Sequence, residues 1–225
     1  MRFLRFSQRS RRFTGLFGIF VAFIILLFSL TVHETAHAWT ADRLGDPTAR
    51  LLGRVSLNPI VHADIIGTVL FPLVAITTGA PLLGWAKPVP VNTRQLGHPR
   101  RDFMLVAAAG PASNLVLAIA AAGVLALLPI SPVVGAETNV SAPLASILGE
   151  AMRLNVLLAV FNMIPIPPLD GGNVLAGLLP YRFAVPFNRM RPYGFLLLYA
   201  LILTGGFEYV VVPPYRMIVS LLPTR

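Results

Sequence analysis

His33, Glu34 and His37 stand in the order H-E-x-x-H. On a helix, residues four apart share a face, so both imidazoles can reach one metal ion. Zinc accepts imidazole nitrogen at about 2.0–2.1 Å, and its catalytic sites combine three protein ligands with an open water position. Glu34 lies beside that face, where a carboxylate can take a proton from the activated water. The pattern describes metal-assisted hydrolysis with Glu34 as general base. The competing reading is two core histidines beside an unrelated glutamate. The motif follows directly on an apolar run, where each ionisable group costs about 2.5–3.5 kcal/mol to insert. Three such groups together need a compensating partner, and a divalent cation supplies one.

Cysteine is absent, which excludes thiolate ligands, a thiol nucleophile and a disulfide framework. The third ligand must therefore be His, Asp or Glu. The candidates are Asp42, Asp46, Asp64, Asp102, Glu137, Glu150, Asp170, Glu208, His62 and His98. Asp42 and Asp46 lie at or just beyond the end of the same helix and cannot easily fold back. Asp170 follows a Pro-broken apolar span and opens Asp170-Gly171-Gly172, where backbone freedom can aim its side chain inward. Non-helical backbone at membrane depth is tolerated only inside protein or beside a water-filled cavity. Elimination leaves Asp170 as the candidate, with a helix N-cap as its alternative role. His62 and His98 read as surface or interfacial loop residues, and Trp39 and Trp85 as membrane-interface anchors.

The elements that must position these groups are apolar. Of 225 residues, 56% are hydrophobic and only 12% charged, against about 25% charged in an ordinary soluble domain. Mean hydropathy is +0.74. Too few charges exist to cover a water-facing surface, and membrane residence accounts for both facts. The formal charge of +9 sits in short basic groups with no continuous stripe to track phosphates, so the pattern argues for lipid headgroups and against nucleic acid.

Five apolar segments are expected: about 13–32, 60–83, 103–128, from 147 to a break near Pro165, and 195–222 with Pro213 and Pro214 inside it. The first is long enough to cross a bilayer of about 30 Å. A signal peptide is its alternative, but cleavage after Ala38 would remove the only plausible catalytic motif with the leader. Residues 46–59, DPTARLLGRVSLNP, read as a loop or small β-hairpin. Residues 84–92 form a second Pro-rich connection, and 129–146 a loop. The Ala- and Gly-rich third segment suits close helix packing inside the bundle. The expectation is an all-α, polytopic bundle of about five membrane segments with a short β-hairpin-like loop after the catalytic helix, forming one domain over 1–225.

These motifs resemble those of the site-2 protease family of intramembrane zinc metalloproteases. The resemblance runs from the HETAH helix through LGRVSLNP, GWAKPVPVN and AAGPASN to FNMIPIPPLDGG. It implies that Asp170, the aspartate before the glycines, is the third ligand of one zinc ion per chain. It further implies that Asn162 lies near the substrate carbonyl as an oxyanion contact. Gly110, Pro111 and Asn114 match the family's G-P-x-x-N pattern on the helix packed beside the active site, which makes Asn114 a second candidate substrate or oxyanion contact. The implied function is hydrolysis of peptide bonds in or near transmembrane segments of membrane-protein substrates, in a minimal form without PDZ or CBS domains. The implied setting is a prokaryotic plasma membrane, with the active site inside the bilayer towards the cytosolic side. The residues at 51–57 would pair with a locally unwound substrate as an added strand. Family orientation places the N-terminus outside, whereas Arg2, Arg5, Arg9, Arg11 and Arg12 argue the opposite by the positive-inside rule, and Arg43, Arg50 and Arg54 divide that signal. A catalytically silent scaffold of the same fold and a metal-ion transporter are the rival functions.

Overall fold

The computed structural model describes residues 16–70, 86–128 and 141–223. The basic N-terminus, Trp85, Glu137 and most of the apolar segment 60–83 and of the loop 129–146 lie outside the described residues. Within them the chain is helical. Helix α1 spans Leu16–Arg43, α2 Thr48–Leu51 and α3 Pro59–His62, followed by a π-helical turn at Ile65–Leu70. Helix α4 covers Pro99–Leu127, α5 Ser141–Asn162 and α6 Asp170–Leu178. Then come α7 (Tyr181–Arg189), a 3-10 turn (Arg191–Tyr193), α8 (Gly194–Leu203), α9 (Gly206–Val210) and α10 (Val212–Leu221).

Helices α1, α4 and α5 are each long and apolar enough to cross a membrane. The stretch Arg191–Leu203 with Gly206–Leu221 reaches that length only as a pair bent by 91°, so the described residues hold three candidate spans, or four if the bent pair is one. The bend falls at Gly205, whose φ of +76° is a left-handed conformation that glycine adopts without steric cost.

Polarity is arranged outward-apolar. Phe17, Phe20, Ile24 and Phe28 form an exposed stripe on α1, and Val116, Ile119 and Leu127 do the same on α4. Ser29, Thr31, His33, His37, Asn114 and Asn155 are buried. An aqueous protein would not expose contiguous aromatic surface around a polar interior, whereas lipid accepts the former and burial protects the latter. Trp39, half exposed near the end of α1, lies under the Arg43 guanidinium at 5.1 Å, the placement expected of an interface anchor.

Helix α4 is the central element, packed against α1, α5 and α6. Its contact with α5 is built from Ala118, Ala121 and Ala122 against Met152 and Val156. Small side chains let the two backbones approach, which in lipid substitutes dispersion contact for a missing hydrophobic drive. Leu26 and Leu30 of α1 pack with Ala86 and, beside them, Leu154 and Leu158 of α5.

The hairpin expected after the catalytic helix does not form: the described residues contain no strand, and 46–59 fold as α2 and a series of turns. The reason is visible in its polar contacts. Buried Asp46 accepts from the Thr48 amide and hydroxyl, closing a turn that starts a helix, and also from the Asn92 amide at 2.6 Å. The segment bonds to the 86–92 connection through side chains and needs no ladder of its own.

Enlarging Ala122, which has no exposed surface, to Leu overpacks the α4–α5 contact and should cost about 1–3 kcal/mol. Ile119→Ala on the exposed side should stay within about 0.5 kcal/mol. Unfolding in mixed detergent measures both.

Candidate metal centre

The spacing of His33 and His37 stacks the two imidazoles on one face of α1, with ring centroids 4.6 Å apart in an edge-on arrangement. Their Nε2 atoms are 3.0 Å apart. Asp170, in the first turn of α6, brings Oδ2 to 3.1 Å from His33 Nε2 and 3.4 Å from His37 Nε2. These are the residues among those described that could hold a metal ion as a group of three. A tetrahedral zinc with bonds of about 2.0–2.1 Å separates its ligand atoms by about 3.3–3.4 Å. The three donors already stand near that triangle.

The far sides of the two rings determine what the near sides can do. His37 Nδ1 lies 2.7 Å from the Val106 carbonyl oxygen, which can only accept, so Nδ1 carries the proton. His33 Nδ1 lies 2.6 Å from Asn114 Oδ1, and Asn114 Nδ2 is turned to Asn155 Oδ1 at 2.9 Å, so this ring also donates outward. Nε2 of each ring is then the atom that faces the other ring and the Asp170 carboxylate. Two imidazole nitrogens and a carboxylate oxygen converge, a cluster that apolar burial alone would disrupt and that a cation, taking the place of protons on Nε2, stabilises. The residues present fit zinc.

Two close approaches make the triangle possible. A Cβ on Gly110 of α4 would stand 2.6 Å from His33 Cε1 and collide with His37 as well, so only glycine lets α4 lie against both rings. A Cβ on Gly171 would strike the backbone of Met163 and Ile164, and one on Gly172 would stand 2.6 Å from Pro167 N. The paired glycines let the first turn of α6 press into the turn at 163–169, and this carries Asp170 to the histidines. Leu169, not Asp170, occupies the N-cap position of α6, so the N-cap alternative fails.

Behind the rings runs a buried polar chain. Asn155 Nδ2 donates to Ser29 Oγ and to the Ala151 carbonyl, each at 2.9 Å. His33, Asn114, Asn155 and Ser29 thereby tie α1, α4 and α5 together. Asn155 and Ser29 carry no motif in the sequence; the only signal is a polar residue, one of several, inside each apolar span. Asn114, expected near substrate, is fully buried and has its amide committed to His33 and Asn155. Asn162 ends α5 with Nδ2 donating to the Leu158 carbonyl at 3.0 Å.

Glu34 is half-buried, and its Oε2 accepts from the Val89 amide at 3.0 Å. Glu208 is exposed on α9, and the other described acids not yet placed have partners elsewhere. Asp42 pairs with Arg50 at 2.8 Å, Asp102 accepts from the His98 amide at 2.6 Å, Glu150 pairs with Arg153 at 3.1 Å, and Asp64 accepts from the Ile66 and Gly67 amides. His98 is exposed as expected. His62 is not: it is 2% exposed, because α3 turns its ring under the loop, where Nε2 donates to the Ser56 carbonyl at 2.8 Å. A cleft of about 610 Å³ between the start of α4 and the end of α6 is lined by none of the motif residues.

A family model described as Peptidase family M50 matches residues 21–143 and 129–205. The chain is 38% identical over 192 residues to the Bacillus subtilis protein named "Putative zinc metalloprotease YwhC", covering 84% of this chain and 83% of that one. It is 30% identical over 193 residues to the Mycolicibacterium smegmatis protein named "Putative zinc metalloprotease Rip2", covering 83% of this chain and 68% of that one. No solved structure matches.

Gly110→Ala should displace both imidazoles and remove bound zinc, read by metal analysis of the purified protein. Asn114→Leu, which leaves His33 Nδ1 without its acceptor, should weaken zinc affinity by about 10–100-fold in competition with a chelator.

Proposed function

Since the chain belongs to peptidase family M50, the site-2 protease family that its motifs resemble, we propose that it is an intramembrane zinc endopeptidase that cuts membrane-protein substrates in or near their transmembrane segments. His33, His37 and Asp170 hold the single zinc ion, and Glu34 is the general base. The observation that carries this reading is the convergence of two imidazole Nε2 atoms and one carboxylate oxygen within 3.0–3.4 Å of one another, inside helices whose outer surface is apolar.

Zinc supplies a water made acidic enough to lose a proton near pH ~7 and a Lewis acid for the peptide carbonyl. The chain's own groups do the rest. Glu34, next to His33 on α1, takes the proton through Oε1 while the Val89 amide holds Oε2, and then returns it to the leaving amine. The Nδ1 donors to Asn114 and Val106 fix both rings in the tautomer that keeps Nε2 available. In this reading Asn114 acts through His33, while Asn162, at the end of α5, is the remaining candidate for contact with the substrate carbonyl.

A membrane substrate is helical with its carbonyls already bonded, so it must unwind before a backbone group can reach the site. The exposed Leu51, Leu52 and Leu57 offer apolar surface for such a segment beside the catalytic helix, and substrates with helix-breaking residues near the cut should be preferred. We place the chain in the plasma membrane of a prokaryote, with about five membrane segments once the apolar stretch 60–83 is included. Its partners are transmembrane substrates and lipid, and the site lies within the bilayer towards the cytosolic side.

Purified wild type and Glu34→Gln, presented with a panel of tagged transmembrane reporters, test the reading. Wild type should cut, Glu34→Gln should retain zinc and not cut, and His33→Ala should lose both zinc and cutting. An active Glu34→Gln would contradict the mechanism. Zinc flux into vesicles without cleavage would favour a transporter.

A further inference from the structure

Arg54 is an unusual residue to find buried. It is 6% exposed, and it is in none of the ion pairs of the described residues. Carbonyl oxygens meet its charge instead. Nη1 donates to the Val61 carbonyl, and Nη2 to the carbonyls of Lys87 and of Pro88, the last at 3.2 Å. A planar fork with fixed donor directions is suited to bridging two chain segments in this way, and a lysine ammonium is not. Burying a guanidinium without a carboxylate partner is costly, and its Nε has no partner at all. Joining two loops does not require such a group, since the Lys87 amide already bonds the His62 carbonyl at 2.8 Å.

What the guanidinium adds is direction. The carbonyls it grips belong to residues 87 and 88, and the amide of the next residue, Val89, donates to Glu34 Oε2 at 3.0 Å. Holding the Pro88 carbonyl fixes the plane of the Pro88–Val89 peptide, because the peptide unit is rigid. The N–H on the other end of that plane is the one that orients the base. The segment that carries Arg54 is itself tied to the catalytic helix. Thr35 Oγ1 lies 2.6 Å from the Ser56 carbonyl, and that oxygen also accepts from His62.

We propose that Arg54 is a positioning residue for the general base, acting through the Pro88–Val89 peptide to aim the Glu34 carboxylate. The inference rests on the reading of Glu34 as the base. Loss of Arg54 leaves the zinc ligands, which lie on α1 and α6, untouched, and lets the Val89 amide turn away from Glu34. The effect falls on turnover and not on metal binding or substrate affinity.

The test uses the full chain, a reporter that wild type cuts, and four variants: Arg54→Lys, Val89→Pro (which deletes the donor), the double variant, and Glu34→Gln. Arg54→Lys should keep one zinc per chain and an unchanged KM, and lose about 10–100-fold in kcat, as partners that orient active groups do. Val89→Pro should fall by a similar factor, and the double variant should be no worse than Val89→Pro alone, because both changes break one contact. Unchanged kcat in Arg54→Lys, multiplicative losses in the double variant, or a loss of zinc that accounts for the lost activity would each overturn the proposal. An inactive, zinc-loaded Glu34→Gln beside a fully active Arg54→Lys rejects the positioning role alone. An active Glu34→Gln rejects the base reading beneath it.

Discussion

Two imidazole nitrogens and a carboxylate oxygen facing one another in an apolar interior are the condition around which this chain is organised. Brought within 3.0–3.4 Å of one another, these atoms need positive charge among them, the more so where little around them is polarisable. A divalent cation supplies it. The structure therefore has to do two things at once: hold these atoms together, and aim Nε2 of each ring at the centre. Outward donation from both Nδ1 atoms meets the second requirement, since it fixes each ring with Nε2 facing the cluster.

Holding these atoms together is the work of α4. It carries the Val106 carbonyl and Asn114, and it can lie against both imidazoles only because position 110 has no side chain. Pro111, which follows, removes the N–H that would have bonded the Ala107 carbonyl, so this turn of α4 already departs from a regular ladder where the rings rest on it. Asn114 then transmits the constraint outward through Asn155 to Ser29. The polar chain links three candidate spans at the depth of the metal centre, where each hydrogen bond is worth making because water is not there to replace it.

More of the candidate metal cluster than of the architecture is legible in the sequence. His33 and His37 are legible because helical spacing converts a linear pattern into one face. Asp170 is legible because Pro165 to Gly172 cannot be a continuous helix in lipid. Neither Asn155 nor Ser29 is legible, since nothing in their spacing sets them apart from Thr31, Glu150 and Arg153 in the same runs. Residues 46–59 read as a loop or small hairpin because of their Pro and Gly punctuation and short β-prone centre, whereas Asp46 closes a helical turn and bonds the distant Asn92 amide. His62 looked like a loop residue because nothing local shows that α3 folds its ring inward. Arg54 gave the same difficulty: a basic residue after an apolar segment reads as a topology signal, and only the fold shows that it reaches the carbonyls at 87 and 88.

Zinc K-edge X-ray absorption on the purified protein tests the central claim most directly, because the chain has four histidines and no cysteine. The account predicts a first shell of nitrogen and oxygen at about 2.0–2.1 Å, with outer-shell scattering from two imidazoles, reduced to one in His37→Ala. A shell containing three or more imidazoles, or a spectrum unchanged by His37→Ala, would place the metal elsewhere and contradict the account.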